Sequence, residues 1–224
     1  MQQGNPTSLR VPDPGVAALF EQDARWQAWL DVEAALAKAE AELDMIPAAA
    51  AEEIVRKCDL SLFDRERLTE GFQRTGHTLV PLVWELSRLC DGDAGNYAHW
   101  GATTQNITQT GDLLQLRRAH RIFLRQLGAI FAALADLAER SKDMALPGRT
   151  HGQHAVPATY GLKVAIWIDE FARHVERLTA CEPRVFQALL GGAAGDGASL
   201  WGQGPRGEAG GGAPLPHAGE GGPA

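Results

Sequence analysis

The sequence predicts an all-α protein, and three observations carry that expectation. Between about Ile107 and Arg140, apolar residues recur at Leu113, Leu116, Phe123, Leu127, Ile130, Leu134 and Leu137. This is the three-four alternation of a long bundle helix, with His120 taking one seam position. The same alternation returns at Val164, Ile168, Phe171, Val175 and Leu178, on a helix predicted from about Ala158 to Leu190. Two long amphipathic helices joined by a loop read as neighbours in a bundle. Strand-period alternation of comparable length occurs nowhere, which leaves room only for small β hairpins.

The remaining elements follow from local signals. Val16 to about Leu43 is rich in Ala, Glu, Leu and Trp, with Pro47 as a stop, and predicts one long helix. Shorter helices are predicted over Ala48 to Lys57 and around Asp64 to Gln73, each set off by Pro, Ser or Gly. After Gly76 and His77, the apolar stretch Leu79 to Leu89 carries Pro81 in its first turn, where a missing N–H costs nothing. Asp91 to Thr104 reads as loop. The predicted organisation is a small helical N-terminal domain over 1–98, then the first long helices of a central helical bundle over 99–195. From Gly191 onward the chain holds 13 of its 25 glycines and four prolines, with almost no large apolar residues. Such a composition cannot bury a core, so 196–224 is predicted to be a disordered tail.

Bulk properties narrow the class of partner. At 224 residues and 45% apolar composition the chain can bury one sizeable core. A formal charge of -7 and a pI near 5.5 argue against nucleic acid or an anionic membrane and favour a small ligand. Cys58, Cys90 and Cys181 are odd in number and widely spaced, which indicates neither a disulfide frame nor a zinc site and fits a reducing cytosol. Met1 to Gly15 has no apolar signal region, and no apolar run is long enough for a bilayer, so a cytoplasmic location is expected.

Three turns concentrate reactive side chains. Gly148 to Gly161 places Arg149, Thr150, His151, Gln153 and His154 in the connection between the long helices. Arg149 offers a rigid fork of donors for a carboxylate or phosphate, the two histidines can carry protons near neutral pH, and Gly152 permits close backbone approach to a ligand. The simplest alternative is a polar connection satisfied locally. The H-x-x-H spacing of His151 and His154 could suggest metal, but Pro157 disfavours helix at Val156 and no third ligand stands nearby. His99 to Asn106, with Thr103, Thr104 and Gln105, precedes the first long helix. Backbone N–H groups and hydroxyls there suit an anion, while capping by Thr104 or Asn106 is the plainer reading. Gly76-His77-Thr78 is a third polar turn at a helix start. His120, His174 and His217 are assigned to packing, surface and tail.

At these residues the chain resembles the fumarase/aspartase superfamily, and most closely its adenylosuccinate lyase branch, over about Val16 to Ala198. Gly148 to Gln153 is similar to that branch's G-R-T-H-x-Q turn, His99 to Asn106 to its H-x-G-x-T-S-x-D segment, and Gly76-His77 to a third element. The resemblance implies an all-helical subunit whose long helices join those of three other subunits in a homotetrameric core, with active sites built from three subunits and no cofactor. It implies anti β-elimination of fumarate from a succinyl adduct of an amine. His151 would be the general acid at the departing nitrogen. His77 would bind or orient substrate, and Thr103 and Thr104 would seat a carboxylate or phosphate. Gln105, Asn106, Thr150 and Gln153 would add substrate contacts, and Arg149 would bind substrate or brace the turn.

Thr104 stands where the family has Ser, and Asn106 where it has Asp, which removes a negative charge. The sister carboxymuconate cycloisomerases share H-W-G-A-T but usually lack a His in the later turn, so His151 favours the elimination lyases. The family's S-S-x-M-P-x-K-x-N loop, with its general-base serine, is not found in this chain, and the resemblance fades between Asp196 and Arg206. The expectation is a truncated or frameshifted copy with impaired activity. A carboxymuconate cycloisomerase-like enzyme and a non-catalytic helical oligomerisation module are the alternatives.

Overall fold

The computed structural model describes residues 11–192, Gly195 and the backbone of Ala213–Pro214. They fall into two compact units, one formed by residues up to Arg118 together with those from Phe186 onward, the other by Ala119–Val185. The protein is mostly α-helical, as expected, and among the described residues no helix is long and apolar enough to cross a membrane.

The first unit contains α1 (Val16–Leu19), α2 (Gln22–Glu42), α3 (Ala48–Lys57), α4 (Arg65–Thr75), α5 (Val80–Leu89) and the first part of α6 (Thr104–Arg140). The single helix expected from Val16 is in fact two. Asp13 caps α1 by accepting from Val16 N at 3.0 Å and Ala17 N at 3.1 Å. Glu21 then turns to extended backbone at ψ 156°, which breaks the hydrogen-bond ladder before α2. Trp29, Leu30 and Leu36 of α2 bury against Ile54 of α3, Leu68 of α4, Leu79, Leu82 and Leu86 at α5, and Ile107 of α6. Each such apolar side chain withdrawn from water contributes about 2 kcal/mol.

Polar groups fix the angles between these helices. The Gln27 amide on α2 donates to Cys58 O at 3.0 Å and accepts from Leu60 N at 2.9 Å, clamping the turn after α3. Asp64 caps α4 by accepting from Glu66 N and Arg67 N at 3.0 and 3.3 Å. Glu85, buried on α5, takes a forked pair of bonds from Arg88 at 2.5 and 2.8 Å, and these hold its carboxyl below the usual carboxylate range. The stretch expected as loop before α6 contains a short 3-10 turn at Ala94–Tyr97.

The second unit holds the rest of α6, β1 (Ala145–Thr150), β2 (Gln153–Thr159) and α7 (Tyr160–Val185). The connection expected as loop is an antiparallel hairpin, with Ala145 opposite Thr159, Thr150 opposite Gln153, and an irregularity between Pro147 and Arg149. Pro147 faces Pro157 in the register, which a two-stranded ribbon tolerates because both strands are edges. Most of its residues are exposed on both faces, so the segment never shows the in-out alternation by which a strand is recognised in sequence. Helix α7 starts at Tyr160 rather than Ala158, since β2 claims the residues before it. It stops at Val185 rather than Leu190, and Gln187–Ala188 instead form β3, paired with Ala213–Pro214 as β4. Disorder was expected over 196–224; apart from those two strand residues, that stretch lies outside the described residues.

Close contact at Gly161 ties the start of α7 to the end of α6. A Cβ there would stand 2.7 Å from both Ala138 O and Lys142 Cα. Gly161 N donates to Ser141 O at 2.9 Å. His120, expected as packing, is buried but also polar in its role: Nε2 lies 3.2 Å from Leu178 O and Nδ1 3.4 Å from Glu182 Oε1 on α7. Phe123 and Ile130 on the α6 seam, and Leu162 and Ile166 on α7 outside its seam, are 40–59% exposed, so both long helices keep apolar surface that this unit leaves uncovered.

Candidate functional site

Two of the three polar turns meet in the first unit. Gly76 ends α4, and the next residue, His77, folds its ring over the start of α5. Its Nδ1 accepts from Leu79 N at 3.2 Å and Val80 N at 3.1 Å. Two N–H groups aimed at Nδ1 require its lone pair, so in the neutral ring the proton sits on Nε2. That nitrogen lies 3.4 Å from Thr104 Oγ1, at the first residue of α6. A histidine that caps one helix thus presents N–H to the N-terminal residue of another. The positive end of the α6 macrodipole adds to the anion-attracting character of this corner.

The other residues of the second turn are largely occupied by backbone order. Asn106 is buried, and its Oδ1 accepts from Thr103 N at 3.0 Å while Asn106 N donates to Thr103 O at 2.9 Å. This is one half of a capping box, the N3 side chain reaching back to the N-cap N–H with Asn in the place of Glu or Gln, while Asn106 N is satisfied by a backbone carbonyl. A capping role for Asn106 needs an acceptor oxygen and not a charge. Gln105 donates along the exposed helix face to Gln109 Oε1 at 3.1 Å. Thr103 and Thr104 are half-buried at the head of the helix.

His99, at the start of this turn, sits in left-handed backbone at φ 61°. Its Nδ1 lies 2.6 Å from Oε1 of Glu33, a carboxylate on α2 whose side chain is 1% exposed. Among the described residues, Glu33 Oε2 has no hydrogen-bond partner, nor has either carboxyl oxygen of Glu40, two turns further along α2 and 3% exposed. Burial, reinforced by the neighbouring Glu33 charge and opposed by His99, pushes the Glu40 carboxyl up from 4.5 to about 7. Burial likewise pushes the Cys58 thiol up, with Glu33 adding to it. The glutamates escaped the sequence reading. The signal that could have found them is their seven-residue spacing, which sets two carboxylates on the stripe that also carries Trp29, Leu36 and Ala37 into the core.

The third turn belongs to the second unit, described by itself. His151 and Gly152 form the two-residue connection between β1 and β2, with φ 48° and 73°. Positive φ at both positions is what a type I′ hairpin turn demands. A Cβ at Gly152 would meet nothing within 4 Å, so this glycine serves the turn rather than a close approach of backbone to another group. Arg149, Thr150, His151, Gln153 and His154 are all exposed near the tip of the hairpin. Among the described residues no three His, Cys, Asp or Glu side chains gather as a metal site.

Comparison with known proteins agrees with these motifs. The model of a family described as Lyase matches residues 8–204. The chain is 43% identical over 196 residues to the adenylosuccinate lyase of Methanothermobacter thermautotrophicus, covering 88% of this chain and 44% of that protein. It is also 43% identical to the N-acetyl-S-(2-succino)cysteine lyase of Enterococcus italicus, covering 85% of this chain and 41% of the relative. The solved β-carboxy-cis,cis-muconate cycloisomerase of Acinetobacter calcoaceticus superposes with a TM-score of 0.78 at 35% identity, covering 84% of this chain and 45% of that one. The chain therefore spans less than half the length of each of these proteins. The chain belongs to this lyase family of the fumarase/aspartase superfamily, within its adenylosuccinate-lyase-like branch.

Proposed function

We propose that this chain contributes the acid and the anion seat of a carbon-nitrogen lyase that releases fumarate from a succinyl-amine adduct, as in the adenylosuccinate step of purine biosynthesis. The observation that supports it most is the G-R-T-H-x-Q turn, Gly148 to Gln153, intact in a chain 43% identical to an adenylosuccinate lyase and displayed at a hairpin tip. In the elimination a proton leaves Cβ of the succinyl group, its electron pair forms the new double bond, and the Cα–N bond breaks towards nitrogen. His151 donates the proton that lets the amine depart neutral. Thr103 and Thr104, with His77 N–H beside Thr104, seat a carboxylate or phosphate at the head of α6, and Gln105, Asn106, Arg149, Thr150 and Gln153 complete the substrate contacts.

In this reading the protein is a cytoplasmic homotetramer acting on a succinyl-nucleotide or a related small dicarboxylate. Residues 1–98 form its N-terminal domain, and residues 99–195 are part of the central bundle. The exposed apolar side chains of Phe123, Ile130, Leu162 and Ile166 support assembly through the long helices. The residue that takes the Cβ proton is not assigned within this chain, so the 224-residue chain alone is expected to release little or no fumarate.

The test is a version extended to the length of the relatives, assayed for fumarate by ultraviolet absorbance with adenylosuccinate, with an S-succinyl thiol as a second substrate. Release from adenylosuccinate that His151→Ala lowers by 100-fold or more, about the contribution of a general acid, supports the proposal. Release only from the thioether moves the leaving atom to sulfur, and unchanged turnover in His151→Ala refutes the role of His151. A second reading, cycloisomerisation of a carboxymuconate, is favoured by the shared segment His99 to Thr103 and by the superposition with the cycloisomerase. It is supported if 3-carboxy-cis,cis-muconate is consumed while no succinyl adduct is.

A further inference from the structure

We infer that Glu33 is a positioning residue, which fixes the tautomer of His99 and thereby decides which ring nitrogen the turn before α6 presents to a ligand. Glu33 lies on α2 with its side chain 1% exposed, and a carboxylate so deeply withdrawn from water is retained only with a donor to compensate it. His99 Nδ1, at 2.6 Å from Oε1, is the one donor it has among the described residues. The bond joins residues 66 apart in sequence, so it is a tertiary device and not a by-product of the turn.

The consequence for the ring is definite. Facing an ionised carboxylate, Nδ1 carries a proton whether the ring is neutral or charged. That leaves Nε2 as the ring nitrogen free to meet a ligand: it makes no hydrogen bond among the described residues and belongs to a side chain 20% exposed. The groups around the pair are Glu40 on the same helix, whose charge is felt by both, and Cys58 beyond α3, which feels Glu33. His77 in the neighbouring turn has the opposite arrangement, with Nδ1 unprotonated and Nε2–H outward. Two histidines close to the head of α6 are therefore set in opposite tautomers, one offering a donor and the other an acceptor when both rings are neutral. The Glu33 bond also helps hold His99 at φ 61°, in left-handed backbone.

The functional weight of this inference rests on the reading of His99 to Asn106 as a substrate seat, but its test does not. The 224-residue chain, labelled with nitrogen-15 in histidine, is examined by two-bond nitrogen-proton correlation, which separates the two neutral tautomers. His99 is expected as the Nδ1–H form in the unaltered chain, and His77 as the Nε2–H form. Glu33→Gln can accept from Nδ1–H or donate to a bare Nδ1, so it should weaken the preference and raise the share of Nε2–H in His99. Glu33→Leu should lose that preference, with Nε2–H becoming the major form and the amide signals of Gly101 to Thr104 moving. An Nε2–H ring in the unaltered chain, or a ring unaffected by Glu33→Leu with the helical circular dichroism intact, overturns the inference. Should Glu33→Leu fail to fold, the unaltered chain and Glu33→Gln still decide it, since the first must show Nδ1–H and the second a larger share of Nε2–H. Absence of fumarate release would defeat the lyase reading and leave this result untouched.

Discussion

Glu40 offers the sharpest test of the physical account, because its carboxyl is buried without a single hydrogen bond. Its folded pKa of about 7 lies above the ordinary 4.5, chiefly through burial. Between those values the folded chain binds more protons at this site than the unfolded chain, so the stability it contributes is full below 4.5 and is lost as pH rises through 7. At about 1.4 kcal/mol per pH unit over the rise from 4.5 to about 7, the whole effect is about 3.5 kcal/mol, with almost nothing further lost above 8. Glu40→Gln removes the titration while keeping the size of the group, and a neutral amide replaces a neutral acid in the same unbonded place. The variant should exceed the parent by about 1 kcal/mol at pH 5 and by about 3 kcal/mol at pH 8. Urea unfolding followed by tryptophan fluorescence across pH 5 to 8 measures the difference directly. Taking the difference cancels the other titrating groups to first order. A gap that stays constant over that range would show that Glu40 finds a partner or water and would refute the argument.

Three further outcomes follow from the packing and caps. Gly161→Val drives a side chain into Ala138 O and the Lys142 backbone, and should lower stability by 1–3 kcal/mol or more, about the cost of overpacking, read by thermal unfolding. His77→Ala removes the acceptor for Leu79 N and Val80 N and should cost about 1 kcal/mol, with His77→Asn recovering most of it in denaturant titrations. Asp64→Ala leaves Glu66 N and Arg67 N at the head of α4 without their acceptor and should cost about 1 kcal/mol, with Asp64→Ser restoring much of it.

The parts of the fold legible in sequence are those whose periodicity is imposed by a packed face. Helices α3, α4 and α5 lie within two residues of their expected bounds, because each turns an apolar stripe to one core and is set off by proline, aspartate or glycine. The hairpin was not legible as strands. With most of both its faces exposed, its sequence is under no pressure to alternate, and its prolines resemble loop punctuation. The three polar turns were legible by residue type alone, and the contact of His77 with Thr104 was the part that needed coordinates. Glu33 and Glu40 were invisible for a different reason. A glutamate on a helix rich in alanine reads as a solvated face, and only the tertiary path of the turn at His99 reveals that this face is inside.

The backbone places strain where the proposed chemistry is. Among the described non-glycine residues, positive φ occurs at Asp44, His99 and His151. Aspartate and histidine both enter that region more readily than most side chains, yet neither does so as freely as glycine. At Gly152 the hairpin uses glycine, so the adjoining turn position could have done the same with less strain. The histidine there is thus not selected by the turn. The two sites hold the strained residue by different means: the hairpin register at His151, and a buried charge-assisted hydrogen bond at His99. A side chain kept at an energetic cost in two unrelated supports is better explained by what its ring does than by how the chain folds. The same comparison separates these two histidines from His120, which satisfies α7 from inside a regular helix and needs no functional account.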